Sequence, residues 1–287
     1  MRERAQRFET RQEMRCRTFE VFHYNDTRPD EVAVHTHDFY EVFFLLGGEL
    51  SYWVEGQQYH LEPGDILLIN PMVLHRPMSL AQAPKYERIV LWVDKQYLET
   101  LSGTQSSLSR CFESGNRDRS NLLHLSSSLQ RADMTERLSA LIREYYGGEY
   151  GAELCAQGIF VQIMVALNRL AERSASQPQS QRDPSTLVSH LLDYINEHYQ
   201  ETLSLEGLAQ RFFVSKYHLS HAFSSAVGVS VYRYIMMKRM TAAKQLLEGG
   251  AAPGEVYLQC GFQDYTGFFR AFKAEYGISP RAFAERK

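Results

Sequence analysis

The pattern of hydrophobic and polar positions divides the chain into three regions. Between about 32 and 93, short runs of aromatic and β-branched residues are separated by glycine and proline turns, and the runs cover 40–46, 50–54, 59–61, 66–69 and 88–93. Short strands interrupted this often are typical of an antiparallel sandwich or barrel. We therefore expect an antiparallel β-barrel within residues 1–130.

The pattern becomes helical between about 134 and 173. Two sets of apolar residues recur there at helical spacing: Leu138, Leu141, Ile142 and Tyr145, then Ile159, Ile163, Ala166, Leu167 and Leu170. We predict a helical connector over 131–173. Because these stripes offer more apolar surface than a connector needs, we also expect a homodimer. Residues 174–184 have no apolar period and are predicted to be a linker.

The last region, 185–287, contains two copies of one unit. Shifting 219–230 forward by 49 positions onto 268–279 produces four identities: Ala222 with Ala271, Phe223 with Phe272, Gly228 with Gly277 and Ser230 with Ser279. The same shift places Ser215 on Asp264, and both residue types are favourable helix N-caps. We predict that a helix begins directly after each of them.

Each copy has the pattern of a short helix, a tight turn and a second helix. The first short helix is predicted from apolar residues at spacings of three and four: Leu205, Leu208, Ala209 and Phe212. In the second copy Pro253 suits the first helical position, and 261–263 forms the turn. A helix carrying Met236, Met240, Ala243 and Leu247 separates the copies. The sequence therefore predicts two helix-turn-helix units in tandem.

These segments resemble the AraC/XylS family of transcription regulators. The matching pieces are LEGLAQRF at 205–212, SKYHLSHAF at 215–223, RMTAAKQLL at 239–247, GFQDYTGFFRAFK at 261–273 and YGISP at 276–280. Together they extend over essentially all of 185–287. The resemblance implies a domain that binds double-stranded DNA and a protein that is not an enzyme.

Recognition helices read base edges with exposed residues near their N-termini, while N–H groups and nearby cations hold phosphates. The candidate DNA-binding residues are Ser215, Lys216, Tyr217, Ser220 and His221 in the first copy and Asp264, Tyr265, Thr266, Phe269 and Arg270 in the second. The resemblance implies base contacts for all of them except Ser215, Lys216 and Asp264. Arg270 is the best candidate for a guanine, because a guanidinium donates two hydrogen bonds to O6 and N7. For any single residue, a solvated or packing role is the alternative.

A second group of polar residues lies in the predicted barrel. Within HTHDFYE at 35–41, the side chains of His35, His37 and Glu41 have the same parity, so an extended chain would direct them to one face. A turn at Pro63-Gly64 and then His75 follow. This pattern resembles the cupin barrel, and the resemblance implies that His35, His37, Glu41 and His75 occupy positions that bind Fe, Mn, Ni or Zn in cupin enzymes.

Three roles are open for this group: binding a small effector, holding a metal ion, or a purely structural histidine cluster. Trp92 and either Tyr40 or Tyr52 would supply an aromatic wall for an effector, because such pockets combine apolar walls with a few polar anchors. We expect His35, His37, Glu41, His75 and Trp92 to bind an effector, a sugar or sugar derivative. We expect the response to need neither a metal nor another cofactor.

Charge, cysteine usage and the absence of long apolar runs limit the class of protein and its location. The net charge of −3 does not favour a nucleic-acid binder, but 185–287 has 11 Lys and Arg against 9 Asp and Glu, whereas the rest has 20 against 25. The four cysteines show no CxxC pair. We find neither an uninterrupted apolar run of about 18 residues nor an apolar leader, so we expect a cytoplasmic protein that does not span a membrane.

The sequence thus predicts an α+β multidomain chain. Its parts are a cupin-like effector-sensing domain at 1–130, a helical connector at 131–173, a linker at 174–184 and an all-helical DNA-binding domain at 185–287. The predicted function is sequence-specific transcription regulation in response to a small molecule, with RNA polymerase as a further partner. The alternative is a metal-dependent cupin enzyme with a helical appendage, but such an enzyme has no use for the tandem repeat.

Overall fold

The computed structural model describes residues 13–26, 32–78, 86–113, 121–174 and 186–285. The chain divides into two compact units, Met1–Gln181 and Arg182–Lys287. The predicted linker at 174–184 lies outside the described residues, apart from Ser174 at the end of a helix.

The first unit is built on antiparallel strands. In the described residues these are β1 (Phe19–Asp26), β2 (Tyr40–Gly47), β3 (Leu50–Val54), β4 (Gln57–Leu61), β5 (Asp65–Ile69), β6 (His75–Met78), β7 (Tyr86–Val93) and β8 (Leu122–His124). They form two sheets, with strand orders β1-β7-β2-β5-β8 and β4-β3-β6. The predicted antiparallel fold is confirmed, although the sequence pattern did not reveal β1, β6 and β8.

The five-stranded sheet is apolar on both faces, which explains the near-continuous hydrophobic runs of its strands. Phe43 of β2 pairs with Val90 of β7 and faces the smaller sheet, where its ring lies 5.3 Å from that of Tyr52 in β3. Because side chains alternate along a strand, the neighbouring Val42 and Phe44 point to the opposite face, which packs on helices. The first unit therefore has two apolar layers, one on each side of this sheet.

Three helices complete the first unit: α1 (Lys95–Leu101), α2 (Ser128–Tyr145) and α3 (Ala152–Ser174). A capping box formed by Ser127 and Gln130 starts α2. The predicted apolar stripes of α2 and α3 are buried in one core with the sheet. The stripes are thus used within the unit, and the surplus surface that led us to expect a homodimer is not available on these faces.

By length and composition, α3 could cross a membrane, although the sequence pattern had shown no uninterrupted apolar run. Its residues Phe160, Ile163 and Leu167 are fully buried against the sheet and α2. Core helices of this kind share the length and composition of membrane spans. Packing within the unit therefore accounts for the buried face of α3.

The second unit is all-helical where the structure describes it. Its helices are α4 (Leu187–His198), α5 (Leu205–Arg211), α6 (Lys216–Val227), α7 (Val231–Glu248), α8 (Pro253–Gln259), α9 (Tyr265–Tyr276) and α10 (Pro280–Ala284). Helices α6 and α9 begin at the predicted caps: Ser215 accepts a hydrogen bond from His218 N at 3.1 Å, and Asp264 accepts one from Gly267 N at 2.7 Å. Two helix-turn-helix units, α5–α6 and α8–α9, are confirmed.

Helix α7 connects the two helix-turn-helix units, because both of its halves make buried contacts. Near its start, the ring of Tyr234 lies 5.5 Å from that of Phe223 in α6. Its later residues Met240, Ala243 and Leu247 share a core with α8 and α9. Arg233 also donates to Glu275 of α9 at 2.8 Å. The positions of α6 and α9 are therefore fixed by one helix.

The turn between α8 and α9 depends on a glycine. Gly261 has φ +80°, and a Cβ at this position would lie 2.5 Å from the backbone oxygen of Gln200. Gly277, which follows α9, has a similar φ of +74° but no neighbouring atom within 4 Å of such a Cβ. An alanine at Gly277 would therefore add backbone strain alone, whereas an alanine at Gly261 would add both backbone strain and a steric clash.

We predict that Gly277→Ala lowers the free energy of unfolding by about 1 kcal/mol, which is the strain of a left-handed alanine. Gly261→Ala should cost about 1–3 kcal/mol more, because it adds overpacking against a backbone that cannot rotate away. Urea unfolding monitored by circular dichroism measures both losses. Equal losses for the two variants would contradict the close approach of Gln200 to the turn.

Candidate functional site

The two recognition helices each bury one face and leave the other accessible. Helix α6 buries Leu219, Phe223 and Val227, and α9 buries Phe268 and Phe272. The apolar residues anchor the helices on α7, so the remaining positions of their first turns are free of core packing. This is the arrangement that a helix needs if its N-terminal residues are to enter a DNA groove.

In the first copy, the structure brings the predicted residues together at the start of α6. Tyr217 is 80% exposed, and its ring stacks on that of His221 at a centroid distance of 6.0 Å. Ser220 is half-buried. Lys216 is exposed, with Nζ 3.6 Å from an oxygen of Glu206. Ser215 uses its hydroxyl to cap the helix.

In the second copy, α9 presents Thr266 and Arg270 as exposed side chains. Tyr265 is 38% exposed, because its ring packs beside that of Tyr257 at 6.0 Å. Phe269 is half-buried, and the Asp264 carboxylate accepts the hydrogen bond that caps α9. Arg270 is thus the residue in this copy with the reach and the exposure for a base edge.

Two exposed residues of the first copy were missed by the sequence analysis. His218 lies in the first turn of α6 and is exposed. Phe213, in the turn before Ser215, is 95% exposed and has φ +54°. Left-handed backbone at the end of a short helix normally favours glycine, so nothing in the sequence signals this conformation of Phe213.

A separate polar cluster is buried within the first unit. Glu41 comes from β2, His75 from β6 and Trp92 from β7, and Glu41 is directly paired with Trp92. The single extended strand predicted through 35–41 is wrong, because β2 begins only at Tyr40. His37 nevertheless reaches Glu41, with His37 Nε2 and Glu41 Oε2 3.4 Å apart.

Both cluster histidines are oriented by backbone carbonyls. His37 Nδ1 lies 2.9 Å from the carbonyl of Phe39, and His75 Nδ1 lies 2.8 Å from that of Val73. A carbonyl oxygen only accepts, so each Nδ1 carries a hydrogen and donates it. Burial lowers the pKa of His75 well below its usual range, which favours a neutral ring with a lone pair on Nε2.

Glu41 is the acidic member of the cluster. Burial by itself raises the pKa of this carboxyl, but the adjacent His37, whose Nε2 lies 3.4 Å away, and the hydrogen bond from Trp92 outweigh burial and lower it. Trp92 Nε1 donates to Oε2 at 2.8 Å, and the Tyr52 hydroxyl donates to Oε1 at 3.5 Å. Glu41 is therefore a buried carboxylate held in one orientation.

The structure separates the other candidates for the pocket. Of the two tyrosines considered for the aromatic wall, Tyr52 lies in the cluster, whereas Tyr40 points to the opposite face and packs on Phe112. His35 is adjacent, with its ring 4.2 Å from that of His75 and its backbone paired with His75 in both directions. Its side chain is less buried than those of His37 and His75.

The donor atoms fit a metal ion. One ligand atom from each of His37, Glu41 and His75 lies within 4.8 Å of the others. Nε2 of His37 and Nε2 of His75 are buried and have no hydrogen-bond partner in the described structure. Buried polar atoms without partners are uncommon in proteins and are often explained by a missing ion or water. His35 is not one of the three converging residues.

Comparison with known proteins agrees with this division of the chain. A model of the AraC-like ligand binding domain matches residues 20–163, and a helix-turn-helix domain model matches 208–286. These two parts define a transcription regulator with a ligand-binding domain and a DNA-binding domain. The chain belongs to the AraC family of transcriptional regulators.

Similar proteins include regulators of comparable length. An uncharacterized HTH-type regulator of Bacillus subtilis, YbfI, is 26% identical over 235 residues, which are 81% of this chain and 79% of YbfI. The HTH-type transcriptional activator RhaS of Escherichia fergusonii is 24% identical over 257 residues, 86% of this chain and 85% of RhaS. The AdpA DNA-binding domain, solved with a target DNA, is 26% identical and covers 35% of this chain and 92% of its own, with a TM-score of 0.34.

Proposed function

We propose that this AraC-family regulator binds a small effector in its first unit and recognises specific double-stranded DNA with α6 and α9. The observation that carries the proposal is the pair of recognition helices, each exposed at its N-terminal turn and both fixed by α7. A regulator of this kind works where the DNA is, so a cytoplasmic location is part of the proposal. We do not propose the cupin enzyme, because the similar proteins are named as transcriptional regulators.

The proposed DNA contacts fall into two kinds. Tyr217, Ser220 and His221 of α6 and Tyr265, Thr266, Phe269 and Arg270 of α9 are proposed to meet base edges. Lys216 is proposed to hold a phosphate, because it lies at the first position of α6, where backbone N–H groups also favour an anion. Ser215 and Asp264 act through the caps that position the helices.

The effector pocket is proposed to comprise His35, His37, Glu41, His75 and Trp92. The buried carboxylate and the imidazole nitrogens would bind polar groups, while the rings of Trp92 and Phe39, 4.6 Å apart, would supply an apolar wall. A sugar or sugar derivative carries both kinds of surface, so we propose a carbohydrate effector.

The organisation of the protein is part of the same proposal. We propose domain boundaries at 1–130, 131–173, 174–184 and 185–287, and we propose RNA polymerase as a partner at promoters.

A homodimer is also proposed. Since the inward stripes of α2 and α3 are buried, exposed apolar residues on the other faces, such as Leu129 and Leu154, would have to form the interface. Sedimentation of the intact protein as a monomer at micromolar concentration would contradict the dimer.

We predict that Arg270→Ala weakens binding to the specific site by about 1–3 kcal/mol and relaxes the preference at one base pair, because a base contact is lost. Lys216→Ala should weaken all sequences by a similar factor and reduce the salt dependence, because a phosphate contact is lost. Fluorescence anisotropy with a set of single-base operator variants at several salt concentrations measures both effects.

The control for these variants is Arg281→Ala, which removes an exposed arginine of α10 that pairs with Glu285. It should leave both the base preference and the salt slope unchanged. If Arg270→Ala kept the full base preference of the wild type, Arg270 would not be a base-reading residue.

For the pocket, we predict that His37→Ala and Glu41→Ala abolish the effect of a carbohydrate on DNA affinity while basal DNA binding stays close to wild type. An effector acts only through its different affinities for two forms of the protein, so loss of the pocket removes the response alone. A panel of sugars and sugar acids, added to the anisotropy assay, provides the readout. His60→Ala is the matched control, because His60 is an exposed histidine on β4. A normal response in both pocket variants would place the effector elsewhere.

A further inference from the structure

A groove of about 230 Å³ lies where the beginning of α2 passes the end of α3. Its apolar lining includes Leu125 and Met134, which are buried, and Leu170, which is half-buried. Both helices pack on the face of the five-stranded sheet opposite to the buried polar cluster. The groove is therefore separate from the proposed effector pocket.

The polar part of the lining is mainly cationic, with Arg137 from α2 and Arg169 and Arg173 from α3. Arg137 is already neutralised, because its Nε and Nη2 donate to the two carboxylate oxygens of Asp133 at 2.9 and 3.0 Å. Its Nη1 donates to Gln162 of α3 at 3.0 Å and so connects the two helices. The acidic residue of the groove is thus fully used by one arginine.

Arg169 and Arg173 are exposed, and neither forms a hydrogen bond or ion pair within the described residues. Glu172 lies between them in the sequence, but its carboxylate pairs with Arg110 at 3.2 Å. Like charges four residues apart on a helix repel each other and lower its stability. An anion bound between the two guanidinium groups would remove this repulsion.

The helix dipole is the competing explanation, because a cation is favourable near the carbonyl end of a helix. It accounts for Arg173, which lies in the last turn of α3. It does not account for Arg169, which lies one turn earlier, because the effect of the dipole falls off within the last turn. The local excess of positive charge also opposes the composition of residues 1–184, which have 20 Lys and Arg against 25 Asp and Glu.

We propose that this groove binds a small phosphate monoester, with its phosphate between Arg169 and Arg173 and its apolar part against Met134 and Leu170. Two unpaired guanidinium groups match a phosphate monoester in charge, since such a group carries about −1.5 to −2 at pH 7. The planar guanidinium also donates two parallel hydrogen bonds to phosphate oxygens. The site is a second ligand site, beyond the proposed regulator function.

The size of the groove limits the occupant. Pockets for small molecules have volumes of about 300–1,000 Å³, and this groove lies just below that range. A monoester of one aromatic ring or a short alkyl chain is small enough, whereas a helix of a partner protein is not. We therefore favour a small molecule over a second copy of the chain.

The test is calorimetric titration of the full-length protein with phenyl phosphate, and in parallel with inorganic phosphate and with benzyl alcohol. We expect one phenyl phosphate per chain, bound about tenfold more tightly than inorganic phosphate, because burial of roughly 60 Å² of apolar surface corresponds to a tenfold change in Kd. Raising the NaCl concentration should weaken the binding, since the two arginines are exposed.

Arg169→Gln and Arg173→Gln should each weaken phenyl phosphate binding about tenfold, because each removes a charged hydrogen-bond donor. Both residues are exposed, so both variants should keep the wild-type circular dichroism spectrum. Arg143→Gln is the matched control, because Arg143 is an exposed arginine of α2 that pairs with Glu136 outside the groove. It should bind phenyl phosphate like the wild type.

The proposal is overturned if phenyl phosphate shows no saturable binding, if inorganic phosphate binds equally well, or if both arginine variants keep full affinity. Sedimentation of the same variants tests the other occupant, a second copy of the chain. If Arg169→Gln or Arg173→Gln converted a dimer into monomers, the groove would be a subunit interface and the ligand site would be refuted. Loss of phenyl phosphate binding in His37→Ala would place the ester in the effector pocket instead.

Discussion

The DNA-binding unit depends on the burial of α7. Its first half packs on α6 through Tyr234, and its second half packs on α8 and α9 through Met240, Ala243 and Leu247. Because one continuous helix holds both recognition helices, their spacing is a property of the fold and not of a flexible linker. Reading of two DNA grooves by one chain requires such a fixed spacing, so the packing of α7 is the constraint on which recognition depends.

The helical unit could be predicted from the sequence in detail because its signals are local. Ser215 and Asp264 mark the helix starts, and the structure confirms both. Gly228 and Gly277, which are identical in the two copies, follow the helix ends. The left-handed Phe213 could not be predicted in this way, since the residue type gives no sign of its backbone conformation. Local rules succeed where a side chain caps a helix or a glycine follows it, and they fail at Phe213, where backbone hydrogen bonds at the end of α5 accompany a left-handed conformation that the residue type does not indicate.

The barrel and its buried cluster were predicted less completely, because sheet pairing is not local. The parity of 35–41 suggested one strand, yet β2 starts at Tyr40 and His37 reaches Glu41 from outside it. Only the fold shows that Tyr52 faces this cluster while Tyr40 does not. The buried Nε2 atoms of His37 and His75, which have no hydrogen-bond partner in the described residues, have no counterpart in the sequence pattern.

The most direct test of the account is a footprint of the intact protein on a DNA site selected by the protein itself. Because α7 fixes two similar recognition helices, one chain should protect two successive major grooves on one face of the DNA, about one helical turn apart. The site should be asymmetric within each pair of grooves, since Tyr217, Ser220 and His221 differ from their counterparts in α9. Protection of only one groove per chain would contradict the claim that both helices read DNA.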